Sequence, residues 1–198
     1  MKKHGRVIFN GNGYSDEWRE EAGTRGLPNI TDSIGALLTV NSPQSIAMFD
    51  KYKVLSEAEL KSRTEIYLEQ YSKQINVEAA TALEMIRKLY RPTTISYAKQ
   101  LADAVIQSEN AGVKPSAQKS VLKEVNEHIT ALNGKTEVLE KALIKAQSIM
   151  DIPEQAEAYR DRVRPAVSEL RGNIDALENL TPKANWPVPS YADMMFLL

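Results

Sequence analysis

Apolar residues recur at alternating steps of three and four through the second half of the chain: Leu122, Val125, Ile129, Leu132, Thr136, Leu139, Leu143, Ala146 and Met150. That spacing makes one apolar seam along a helix whose neighbours wrap it as in a coiled coil. The helix opens at Pro115, a first-turn proline, and runs to about Met150, with Gly134 as its weak point. Residues 115–150, at 1.5 Å of rise each, give a helix of about 54 Å.

A second periodic run precedes the seam. Leu60, Tyr67, Leu68, Tyr71, Ile75, Ala79, Ala82, Leu83, Ile86 and Leu89 recur at helical spacing, and Ile95, Tyr97, Leu101 and Val105 resume it beyond Pro92. An interior proline removes one hydrogen bond and bends the axis. The pattern predicts one long helix over 57–112 kinked near Pro92, or two nearly collinear ones, ending at Gly112. A third run starts with Asp151-Ile152-Pro153, an N-cap and a first-turn proline, and ends near Leu180. Its face is Ala156, Tyr159, Val163, Ala166, Leu170, Ile174 and Leu177, and Pro165 inside it predicts another kink. The connectors are short, so neighbouring helices should run antiparallel. The expected fold is all-α: short N-terminal helices, then an elongated antiparallel three-helix, coiled-coil-like bundle from about residue 75 to 180.

Residues 1–56 read differently. Gly5, Gly11, Gly13, Gly23, Gly26 and Gly35 fall there, against only Gly112, Gly134 and Gly172 later. The segment should be loop-rich with short helices. Asn10-Gly11-Asn12-Gly13 favours a turn. Ser15 caps a helix holding Trp18 and Ala22, ended by Gly23 or Gly26; Thr31 or Asp32 caps one through Leu38. Ser42-Pro43 opens one to about Tyr52 that buries Ile46 and Phe49, and Ser56 with Glu59 makes a capping box, Leu55 stapling on Leu60. Four segments follow: 1–56, the long helix 57–112, the antiparallel pair 113–180, and a tail 181–198. In the tail Trp186-Pro187-Val188-Pro189 is extended, and Ser190 caps a last turn holding Tyr191, Met194, Met195, Phe196, Leu197 and Leu198. A terminus this apolar should dock on the chain's own body or on another subunit.

Composition narrows the classes of function. The chain has 198 residues, a formal net charge of −1 and no cysteine. Near-zero charge gives no electrostatic case for nucleic acid or an anionic membrane. Without cysteine there are no disulfides, thiolate nucleophiles or thiolate metal sites. No stretch approaches the ~20 apolar residues of a membrane span, and Val7-Ile8-Phe9 is too short for a signal-peptide core.

Candidate chemistry is thin. Gly11 and Gly13 follow an apolar run, but Asp16 stands where a dinucleotide fingerprint needs its third glycine, and no Gly-Lys-Ser/Thr is present. His4 sits in a basic start, and His128 lies one residue off the seam, on an expected solvated flank, so zinc and a histidine-based triad have no support. Glu20, Glu21, Glu57, Glu59, Glu65, Glu69, Glu78 and Glu84 read as solvated faces and i,i+4 pairs. Tyr67, Tyr71, Tyr90 and Tyr97 share helical spacing and read as core edge rather than as a base-stacking platform. No catalytic, cofactor-binding or metal residue is assigned.

Several stretches carry a family resemblance. Val7-Ile8-Phe9-Asn10-Gly11-Asn12-Gly13-Tyr14-Ser15-Asp16-Glu17-Trp18 resembles the stretch that follows the catalytic core in type III glutamine synthetases, the long bacterial form. Glu21-Ala22, Arg25-Gly26-Leu27-Pro28-Asn29, Lys51-Tyr52 and Val54-Leu55-Ser56-Glu57-Ala58-Glu59-Leu60 continue it. Ser62-Arg63, Glu69-Gln70-Tyr71, Ile75-Asn76-Val77-Glu78-Ala79 and Thr81-Ala82-Leu83 follow. Leu101-Ala102-Asp103-Ala104-Val105 and Trp186-Pro187-Val188-Pro189-Ser190-Tyr191-Ala192-Asp193 carry it to the end. The resemblance implies the C-terminal part of a longer enzyme that joins ammonia to glutamate with ATP and a divalent metal such as magnesium. The family's metal- and phosphate-binding residues lie upstream of Val7, so none is carried over. It implies a cytoplasmic, non-catalytic segment with a structural, assembly or regulatory role, inactive alone. Its partners would be itself, the remainder of the parent enzyme or that enzyme's ring neighbours. The competing reading is a free-standing coiled-coil module that binds another protein.

Overall fold

The computed structural model describes residues 8–195, so the expectations for His4 and for Phe196, Leu197 and Leu198 lie outside the described residues. Those residues are helical throughout their ordered elements, with no strand among them. The chain divides into two compact units, one up to Thr64 and one from Glu65 onward.

In the first unit, α1 (Asp16–Thr24), α2 (Ser33–Val40) and α3 (Pro43–Lys51) each start on a side-chain cap. Ser15 accepts from the Trp18 N–H at 3.4 Å, Asp32 from Gly35 at 2.8 Å, and Ser42 from Ser45 at 3.3 Å. These oxygens satisfy amides that a helix start leaves open. Gly26, at φ +72°, ends α1, and the Leu27 N–H closes back on the Ala22 carbonyl at 2.9 Å. The Asn-Gly stretch turns through the Asn12 side chain instead of positive φ: its Oδ1 accepts from the Tyr14 N–H at 3.0 Å. Ile34 and Leu60 are buried, whereas Ile46 and Phe49 are only half-buried, less than the pattern on α3 predicts. A unit this small has too little depth to enclose both. α4 (Glu57–Met85) begins at the capping box, in which the Ser56 N–H donates to Glu59 at 2.8 Å and the Glu59 N–H to Ser56 Oγ at 3.3 Å.

The second unit takes α4 from Glu65. A π-helical turn, Ile86–Tyr90, joins α4 to α5 (Arg91–Asn110) without a loop. The Arg91 N–H bonds the Ile86 carbonyl, five residues back, just before Pro92. A proline ring clashes with the carbonyl four residues earlier; widening the turn relieves the clash and lets the helix continue. The same device recurs beyond α6 (Ser116–Gln147). There α7 (Ile152–Ala158) passes through a π turn, Tyr159–Val163, into α8 (Arg164–Leu180), with the Arg164 N–H on the Tyr159 carbonyl and Pro165 next. Both wide turns therefore precede an Arg-Pro pair.

The seam carries the core. Val125, Ile129, Leu132, Thr136, Leu139, Leu143 and Ala146 are buried, packed with Ala79, Leu83 and Ile86 on one side and Tyr159, Val163, Leu170 and Leu177 on the other. Each fully enclosed leucine contributes about 1.5–3 kcal/mol of transfer free energy as an upper estimate. Thr136 spends its hydroxyl on the Leu132 carbonyl at 2.6 Å, so its polar atom is satisfied inside the seam. Cross-helix bonds fix direction. Lys119 meets Glu109, Arg87 meets Glu140, and Gln147 meets Asn76, so α6 runs antiparallel to α4–α5. His128 meets Asn173 and Lys135 meets Glu169, so α8 runs antiparallel to α6. The seam stops one seam position earlier than the pattern predicts, at Ala146: α6 ends at Gln147, and Met150 is 91% exposed. Ser148 closes onto the Ile144 and Lys145 carbonyls and Asp151 caps the next helix, so the chain turns at Met150 and carries it out of the seam.

Candidate functional site

Both wide turns deliver a tyrosine to a concave surface of the second unit. π-helical turns push a residue out of ordinary register and recur at binding sites for that reason.

Tyr90 closes the first turn. Its ring stacks on Trp186 of the tail, centroids 5.2 Å apart. Beside it lies an apolar groove of about 340 Å³ lined by Ala82, Met85, Val167, Ile174, Val188 and Met194. The tail docks on the chain's own body here through Trp186 and Val188, whereas Met194 and Met195, which the apolar pattern expects to dock, are 54% and 74% exposed. Asn185 donates to Gln100 at 3.0 Å, and Ser190 and Asp193 form a reciprocal cap with Lys183 on the same carboxylate. Burial, then the nearby Glu178 and Asp175 charges, push the Tyr90 phenol up. The Lys183 ammonium, with the Ser190 amide and hydroxyl, holds Asp193 down at about 2.

Tyr159 opens the second turn. It is 3% exposed, and its hydroxyl donates to Asn76 Oδ1 at 3.0 Å. Gln147 Nε2 donates to the same oxygen at 2.8 Å. Gln155 Nε2 reaches the Ile149 carbonyl at 2.9 Å and the Ala146 carbonyl at 3.3 Å, tying the end of α6 to α7. These groups wall a cleft of about 500 Å³ whose rim holds Glu69, Lys73 and Met150. Burial pushes the Tyr159 phenol up, so it stays a neutral donor near neutral pH.

The residues weighed from the sequence do not converge on either surface, apart from Glu69 and Tyr90. Gly11 lies under the Phe9 ring, where a Cβ would come within 2.6 Å, and Phe9 packs on Trp18 at 4.5 Å. His128 is half-buried and bonded to Asn173 rather than on a solvated flank. Glu21, Glu57, Glu69 and Glu84 pair with a cation four residues on, and Glu59 serves its cap. Tyr67 is 54% exposed, while Tyr71 and Tyr97 pack against the core. Among the described residues, no three of His, Asp and Glu gather to hold a metal ion, and no helix is long and apolar enough to cross a membrane. Asn76, Gln147, Gln155, Tyr159 and Trp186 carry the two surfaces. The readable signal for them was an aromatic residue near each in-helix proline.

The family described as the glutamine synthetase C-terminal domain matches residues 1–109, more than half of the chain. This chain belongs to that family. The type-3 glutamine synthetase of Dictyostelium discoideum is 35% identical over 202 residues, covering 98% of this chain and 27% of the relative. A glutamine synthetase of Butyrivibrio fibrisolvens is 35% identical over 197 residues, covering 98% and 28%. One from Bacteroides fragilis (strain YCH46) is 29% identical over 196 residues, covering 96% and 27%. This glutamine synthetase C-terminal domain chain thus spans about a quarter of the length of the curated relatives it matches. The likeness continues past residue 109, through the seam and into the tail.

Proposed function

We propose that this chain is the non-catalytic C-terminal segment of a type III glutamine synthetase, an ATP-dependent glutamate–ammonia ligase of the cytoplasm, and that it serves packing and assembly. ATP and magnesium would act in the part of the enzyme that this chain does not span. One observation carries the reading: relatives nearly four times longer match it almost end to end, and what it contributes to them is a helical core built on one buried seam. Its partners are then the remainder of the enzyme, further copies and the neighbours in a ring.

The experiment removes the matching segment from the Butyrivibrio fibrisolvens relative and adds this 198-residue chain back as a separate polypeptide. Light scattering should show a smaller assembly on removal and recovery on addition, with synthetase activity following assembly. An unchanged assembly and activity after removal would refute the packing role and favour a free-standing coiled-coil interaction module.

A further inference from the structure

We propose that the outer face of α5 pairs with the same face of a second copy of this chain, the two helices running antiparallel about a two-fold axis. This rests on the assembly role above and names a surface for it. α5 carries a second stripe that its own core does not use. Ile95, Lys99, Ala102, Ile106 and Glu109 follow one another at steps of four and three, the spacing of a packed helix seam. Thr94 and Val105, each one residue earlier, are buried, so the stripe is turned about 100° away from the core. Ile95 and Ile106 stay 51% and 55% exposed. Another flank of the same helix is covered by the tail, where Asn185 donates to Gln100. The stripe has no such cover among the described residues.

The charges beside the stripe choose its occupant. Setting Ile95 against Ile106 of an antiparallel second copy sets Lys99 against Ala102 in the same register. The two-fold axis makes each contact twice, which is the self-complementarity of an isologous interface. Ala102 is small, so the Lys99 methylenes can lie across it and carry the ammonium to Asp103 of the second copy, the next residue along. Lys99 and Asp103 are both exposed, and neither has an ion-pair or hydrogen-bond partner among the described residues. Within their own helix the lysine precedes the acid by four residues, the less favoured order. Parallel pairing would set lysine against lysine and aspartate against aspartate, so the charges select the antiparallel arrangement.

The test is sedimentation velocity on the 198-residue chain. It should dimerise reversibly with a Kd below about 1 mM. Ile106→Lys, at an exposed position, should weaken the dimer by about tenfold or more and leave the melting temperature of the dilute chain unchanged. Lys99→Glu alone and Asp103→Lys alone each set like charges together across the axis and should each cost about tenfold in affinity. An equimolar mixture of those two variants should regain the parental affinity, because each chain then offers the charge that the other lacks. A chain that stays monomeric at about 1 mM, a dimer indifferent to Ile106→Lys, or a mixture no tighter than its components would overturn the proposal. A dimer lost on Trp186→Ala but not on Ile106→Lys would overturn it in favour of the tail. The assembly role is judged separately. Add-back that restores the relative's assembly keeps that role standing when the dimer fails, and add-back that fails beside an intact, charge-dependent dimer overturns that role alone.

Discussion

Asn173 meets His128 twice. Its Nδ2 donates to the His128 carbonyl at 2.8 Å, and its Oδ1 lies 3.2 Å from His128 Nδ1. Asn173 is 6% exposed, so this is a buried polar bridge between α6 and α8, beside the apolar core that the two helices share. Such a bridge holds one register, because sliding either helix leaves buried amide groups unpaired. Asn173→Ala should cost about 1–3 kcal/mol, the penalty of stripping partners from buried polar atoms. Urea unfolding measures it, and an unchanged midpoint would show that the bridge carries no stability.

The seam is tested at its middle. Leu132 is fully buried between the helices on either side. Leu132→Asp places a carboxylate there without a partner and should cost about 3–5 kcal/mol, a large share of the roughly 5–15 kcal/mol that holds an ordinary domain folded. Thermal melting followed by circular dichroism reads this directly, and a melting temperature within error of the parent would mean that the seam does not carry the core.

Two glycines of the second unit should respond oppositely. Gly134 lies in the middle of α6 with open space where a Cβ would stand, so Gly134→Ala should stabilise by about 0.5–1 kcal/mol. Gly112, at φ +77°, ends α5, and the Val113 N–H closes on the Ser108 carbonyl at 2.9 Å. Gly112→Ala should destabilise by about 1–2 kcal/mol, since an L side chain crowds the following carbonyl in that conformation. Paired chemical-denaturation curves check both signs.

How much of this was legible in the sequence depends on what each residue's role requires. Caps and helix ends were readable, because Ser15, Asp32, Ser42, Ser56 and Asp151 act within four residues of themselves. The seam was readable because burial repeats at helical period. Met150 was misplaced because periodicity continues past the point where a chain must turn, and nothing in the pattern marks that point. The prolines signalled bends but not the wide turns that accommodate them. The amide cleft was invisible: Asn76 is 71 residues from Gln147, and Asn76, Gln147 and Gln155 each alone read as ordinary surface residues.

The tail should respond to acid. Asp193 is held at about 2, against an ordinary value of 3.8, chiefly by Lys183 and then by Ser190. A carboxyl depressed in this way favours the tail's own 183–193 loop, the segment that seats Trp186 on Tyr90, fully above its ordinary value, and that contribution is lost as pH falls through about 2. In a Trp18→Phe background, Trp186 fluorescence should change as pH is lowered from about 4 to 2, when Trp186 leaves Tyr90. Asp193→Asn should remove that transition; its persistence in the variant would assign the transition to another carboxylate.

That this chain acts by packing and binding rather than by phosphoryl chemistry is tested most directly by calorimetric titration of magnesium–ATP into the 198-residue polypeptide. No saturable heat should appear in the micromolar range, with or without L-glutamate present. A clear binding isotherm with micromolar affinity would contradict the account, because it would place nucleotide-binding residues on the chain itself.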